Sequence, residues 1–145
     1  MSFGKTVYKW VLGNERCSIL AYGSYSITYK KGTVVRAVKN SQGLMCFETE
    51  EDAHKWLDTV THCLQVDKNG IYSAKLIKCQ PLTKVYKPKH YNSYYGTTDI
   101  SGICDRIYIV GLANYWKRVD NSTGICSLMP NKHNIIATQT LKVLT

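Results

Sequence analysis

With 145 residues, of which 44% are hydrophobic and 20% charged, the chain has the composition of one globular domain. Its length suffices to bury a core without help from disulfides or metal. A mean hydropathy of -0.24 argues against disorder, and no apolar run approaches the roughly 18 residues that a membrane-spanning helix needs. The formal net charge is +9 and is unevenly spread: through Lys68 nine Lys+Arg face seven Asp+Glu, and from Asn69 onward ten face three. A basic excess of this kind meets polyanions or anionic small molecules, and speaks to association rather than mechanism.

In chain order, Thr6 to Leu12 (TVYKWVL) is rich in β-branched and aromatic residues and ends at Gly13-Asn14, the pattern of a strand and turn. Cys17 to Ala21 is a short apolar run. Tyr25 to Lys30 alternates Tyr25, Ile27 and Tyr29 against Ser26, Thr28 and Lys30, the period of a half-buried strand. After the turn signal Lys31-Gly32, Thr33 to Val38 resumes as a strand, so the pair predicts a hairpin. A further turn, Asn40 to Gly43, leads into the apolar Leu44 to Phe47.

Thr49 to Leu64 predicts the principal helix. Thr49 can cap it, and Glu50, Glu51 and Asp52 put negative charge on the positive end of the helix dipole. Ala53, Trp56, Leu57, Val60, Cys63 and Leu64 form one apolar stripe that should pack on a sheet. His54 and His62 fall off that stripe and are expected in solvent. Ile71 to Cys79 follows as a strand. A long basic loop comes next, then strand candidate Arg106 to Val110 and Leu112 to Arg118, either a short helix or an aromatic loop. Pro130 breaks the chain, and Asn134 to Leu144 supplies a last strand or two. The expected fold is α+β in a single domain, residues 1–145. It is mainly antiparallel, with one principal helix (49–64) on a strongly bent sheet or small barrel.

The loop from Gln80 to Ser101 is the richest in functional signal. Lys84, Lys87, Lys89 and His90 are interleaved with Tyr86, Tyr91, Tyr94 and Tyr95, and Asp99 is its only acid. Lysines offer point charges for phosphate while aromatic faces stack on bases, a common combination for holding nucleotides. Together with Lys117 and Arg118 these residues form the expected ligand-binding set. The bland alternative is a Pro-interrupted loop whose tyrosines cap the core and whose lysines keep it in solution.

Other chemistry is thinly represented. The six cysteines lie 16 to 29 residues apart, with no C-x-x-C and no zinc-finger spacing. Most sit in apolar sequence, as buried thiols do. No G-x-S-x-G, P-loop or G-x-G-x-x-G occurs. Four of the ten carboxylates (Glu48, Glu50, Glu51, Asp52) sit at the helix start, where capping explains them. No catalytic residue, cofactor or metal site is expected. The N-terminal sequence MSFGKTVYKW has no apolar signal-peptide core, which gives an expectation of cytoplasmic residence.

The order VYKWVL, YSITYKKGTVVRA, GLMCFETEEDAHKWL, a strand ending in LIKC and a closing ATQTLKVL resembles small uncharacterised accessory proteins of phages and large DNA viruses. The resemblance implies a compact fold and a viral accessory role in a host cytoplasm, and brings no catalytic residues. GLMCFETEEDAHKWL is also similar, at Gly43, Thr49, Ala53 and Trp56, to a strand-helix stretch beside the NAD site of ADP-ribosyltransferase-like proteins. The late catalytic Glu of such enzymes has no counterpart, because no Glu follows Glu51.

The leading expectation is a non-catalytic binding protein for a phosphate-bearing ligand, a nucleotide or cyclic nucleotide signal. A nucleic-acid-binding protein, a protein–protein inhibitor of a host factor and, last, an ADP-ribosyltransferase-like enzyme are the alternatives. No membrane partner is expected, and the oligomeric state is left open.

Overall fold

The computed structural model describes residues 4–18, 27–37, 43–60, 74–92, 117 and 128–145. They form a mainly antiparallel sheet with one helix, an α+β arrangement. In chain order the elements are β1 (Val7–Leu12), β2 (Cys17–Ser18), β3 (Val34–Arg36), β4 (Leu44–Phe47), α1 (Glu50–Val60), β5 (Ala74–Pro81), β6 (His90–Asn92), β7 (Leu128–Pro130), β8 (Ile135–Thr138) and β9 (Thr140–Val143). Among the described residues no helix is long and apolar enough to cross a membrane.

The seven-stranded sheet runs β3-β9-β5-β1-β4-β8, with β2 paired to β1. One edge of β1 is taken by β5, from Val7↔Cys79 to Leu12↔Ala74. The other edge is shared between β4, at Tyr8↔Phe47, and β2, at Val11↔Ser18. β6 and β7 form a separate two-stranded ribbon.

The ends of the sheet constrain its shape. β8 and β9 are separated by β4, β1 and β5, about 19 Å across a flat sheet at roughly 4.8 Å per spacing. Yet Gln139 alone joins Thr138 to Thr140, and two Cα steps reach at most about 7 Å. The sheet must therefore curl. Its ladder is open, ending at β3 and β8 among the described residues, so a closed barrel is not shown.

Both faces of the curled sheet are apolar. On one, α1 lays Ala53 and Trp56 over Trp10, Met45, Phe47, Ile135 and Ala137, with Leu57 packed alongside. On the other, Val7, Val11, Leu44, Ile77, Leu141 and Val143 gather around fully buried Tyr29. All four residues of β4 are buried, as its uninterrupted apolar run predicts for a strand covered on both sides. Cys46 and Cys79 belong to the second cluster and fill space as small apolar side chains.

The helix forms for the expected reasons. The Asp52 amide donates to Thr49 Oγ1 at 3.1 Å, a side-chain N-cap, and Thr49 Oγ1 donates in turn to Asp52 Oδ2 at 2.6 Å. Residues 61–64 of the expected helix, His62 among them, lie outside the described residues. His54 is exposed as expected, but its ring also meets Trp10 edge-on at 5.3 Å.

Two local expectations are corrected. The hairpin between Tyr25–Lys30 and Thr33–Val38 does not form among the described residues. Val34–Arg36 pairs instead with β9, and Thr28 bridges to Cys17. Gly32, at φ +82°, gives its amide to Val143 O at 2.8 Å. The turn thus directs the chain onto the C-terminal strand, not back on itself. The start of the long basic loop is also tied down. Gln80 and Pro81 end β5, Tyr86 and Ala137 exchange both backbone hydrogen bonds at 2.8 Å, and His90–Asn92 is a strand. Tyr25 and Ser26, residues 71–73, and the candidates at Arg106–Val110 and Leu112–Trp116 lie outside the described residues.

Candidate functional site

Where β1 begins, β4 ends and β5 ends, the chain leaves a cleft of about 560 Å³. Pairing of β1 with both β5 and β4 carries residues 4–6 between Pro81 on one side and Glu48-Thr49 on the other. Val7, Pro81, Val85 and Ile136 supply an apolar floor, while Lys5, Thr6, Glu48, Thr49 and Lys84 supply the polar lining. Val7, Val85 and Ile136 all belong to or pack on the core cluster around Tyr29, so the cleft is an opening onto that core.

The charges around it are few. Lys5 and Lys84 are exposed at the lining. Lys84 Nζ stands 5.4 Å from the centre of the Tyr86 ring, within cation–π range. Lys87 Nζ lies 3.2 Å from Glu48 Oε2, with both side chains nearly half exposed. A pair this wet contributes little to stability, so its interest is in how it shapes the field at the cleft.

The expected binding residues divide. Lys84 lines the cleft and Lys87 joins it through Glu48. Tyr86 packs against the helix-side core beside its backbone bridge to Ala137, which makes it a partly buried anchor with Lys84 above it, and not an open stacking platform. Lys89 and His90 are not among the lining residues. They lead into the β6–β7 ribbon, where His90 pairs with Pro130 and the Lys89 carbonyl accepts from the Asn131 amide at 2.9 Å. Lys117 is exposed. Tyr91 lies in β6, with its side chain outside what the structure describes; Tyr94, Tyr95 and Arg118 also lie outside the described residues.

Lys5, Glu48 and Thr49 were missed as site residues by sequence reasoning. Glu48 and Thr49 read as helix-start residues, and Lys5 stands in no motif. Only long-range strand pairing brings them beside Lys84. The residues shared with the ADP-ribosyltransferase-like stretch have structural work here: Gly43 opens β4 at φ +92°, Thr49 caps α1, and Ala53 and Trp56 are core. Among the described residues no group of three His, Cys, Asp or Glu could hold a metal ion. Comparison with known protein families, curated proteins and solved structures finds no match.

Proposed function

We propose that the protein is a non-catalytic binding protein that captures an anionic, phosphate-bearing small molecule, a nucleotide or cyclic nucleotide signal, in this cleft. The observation that carries the reading is the pairing of an apolar floor with lysines at the lining. Recognition of a ring-bearing phosphate needs both, because the ring is held by burial and the phosphate by charge-assisted contacts. A volume of about 560 Å³ falls within the range of small-molecule sites and favours one compact ligand over a tract of polymer. The same chemistry suits a viral accessory protein that meets nucleotide signals of its host.

Calorimetric titration with adenosine and guanosine nucleotides, repeated over a range of salt, tests the reading. The double variant Lys5→Ala/Lys84→Ala should lose about tenfold in affinity, or 1.4 kcal/mol, and melt like wild type, since exposed lysines seldom shift stability by more than about 0.5 kcal/mol. Lys89→Ala should bind normally. Unchanged affinity in the double variant defeats the proposal. A steep salt slope with tighter binding of a single-stranded oligonucleotide moves the function to nucleic acid.

A further inference from the structure

The charge balance of the cleft narrows the ligand beyond the anion-binding reading, on which this inference rests. Its lining carries Lys5, Lys84 and Glu48, two positive groups and one negative. Lys87, the next cation, is held by Glu48 at 3.2 Å. Glu48 therefore brings to the cleft a carboxylate that is already paired with a lysine a phosphate would otherwise recruit.

The backbone that carries that carboxylate is held in place. Glu48 follows Phe47, the last residue of β4, and precedes the cap residue Thr49. Its amide donates to Asn134 O at 3.2 Å. This carboxylate opposes Lys5 and Lys84 in proportion to the charge of the ligand, so its energetic effect is largest for one with several anionic groups. The floor of Val7, Pro81, Val85 and Ile136 requires an organic body as well, which inorganic phosphate lacks.

We propose that Glu48 is the selectivity residue of the cleft, shifting its preference away from phosphate monoesters and polyphosphates and towards a phosphodiester monoanion with an aromatic ring, as in a 3′,5′-cyclic nucleotide. A phosphate monoester carries about -1.5 to -2 at neutral pH, so the cyclic and linear forms of one nucleotide differ in charge while sharing base and sugar. The test is titration of wild type and Glu48→Gln with cyclic AMP, AMP and ATP, and with the guanosine series. Wild type should bind a cyclic nucleotide about tenfold or more tighter than its triphosphate, a gap of 1.4 kcal/mol per decade. Glu48→Gln keeps the shape, removes the charge and releases Lys87. It should tighten every phosphate ligand, by about tenfold more for monoester and triphosphate than for the singly charged cyclic form. Adding Lys87→Ala should cancel most of that gain.

A wild type that already prefers the triphosphate, or a Glu48→Gln variant with unaltered ranking, overturns the selectivity role and leaves the cleft as an anion site. Absence of binding by every probe in both proteins defeats the anion-site reading, and this inference falls with it.

Discussion

Trp10 should be the pin that fixes α1 to the sheet. It is 7% exposed in the helix-side core, and its Nε1 donates to the Ala53 carbonyl at 2.8 Å. Trp10→Phe keeps a ring in place but removes the indole N–H and two further ring carbons. The lost hydrogen bond costs about 1 kcal/mol. The lost carbon burial adds about 1.6 kcal/mol at roughly 0.8 per methylene equivalent, for a sum of about 2–3 kcal/mol. Trp10→Ala leaves a large cavity and costs about 3–5 kcal/mol. A domain of this size has about 5–15 kcal/mol in hand, so the Phe variant folds and the Ala variant is marginal. Urea unfolding followed by far-ultraviolet circular dichroism reads both. With a slope near 2 kcal/mol/M, Trp10→Phe should lower the midpoint by about 1 M at unchanged slope. A Phe variant within about 0.5 kcal/mol of wild type, the range of a surface change, would refute the pinning role and the helix-to-sheet docking built on it.

Asn131 should hold the ribbon to the sheet: its Nδ2 donates to Pro88 O at 2.7 Å and Ile135 O at 2.8 Å, and its Oδ1 accepts from the Ile135 amide at 2.9 Å. Asn131→Ala should cost about 2–4 kcal/mol, near 1 per bond, and speed hydrogen exchange at the Ile135 amide; unchanged exchange would place the connection elsewhere. His133 should lend a pH dependence to stability, because burial disfavours its imidazolium and holds its pKa below the ordinary value, with Asp52 opposing and Lys132 and Lys55 assisting. The depressed folded pKa means that this contribution is complete above about pH 6.5 and is lost as pH falls through the folded value. Melting temperatures between about pH 8 and pH 5 should therefore decline less on the acid side in His133→Gln than in wild type, and parallel curves would remove His133 from the account.

What the sequence makes legible here is what local chemistry decides. The strand at Val7–Leu12, the buried run Leu44–Phe47, the cap at Thr49 and the helical stripe through Ala53 and Trp56 each carry their signal within a few residues. All stand where periodicity and capping put them. The pairing of Val34–Arg36 with Thr140–Val143 carries no such signal. Partners about a hundred residues apart are chosen by the complete sheet, so the nearby alternating segment was the natural but mistaken partner. Lys9 is the clearest case. On an alternating strand a lysine reads as solvent-facing, yet it is 2% exposed. Its Nζ donates to Met45 O at 2.7 Å and stands 5.0 Å from the centre of the Tyr29 ring. Only the curl of the sheet, imposed through Gln139, explains why that face is closed at all.

The candidate site divides along the same line. Composition picks out Lys84 and Lys87 because both stand in a segment dense in lysine and tyrosine. It cannot separate them from Lys89 and His90, which share that composition. The separation is made by the backbone bridge at Tyr86↔Ala137 and by the start of β6 at His90. The former ties Tyr86 beside β8, and the latter commits the next residues to the ribbon. Lys5 and Glu48 then join Lys84 from 79 and 36 residues away, carried in by β1 and β4. The proposal of anion binding thus rests first on the composition of the segment, whereas the negative charge proposed to select among anions is placed at the cleft by the fold. Removing a lysine should weaken every phosphate ligand, and removing Glu48 should change which ligand binds best.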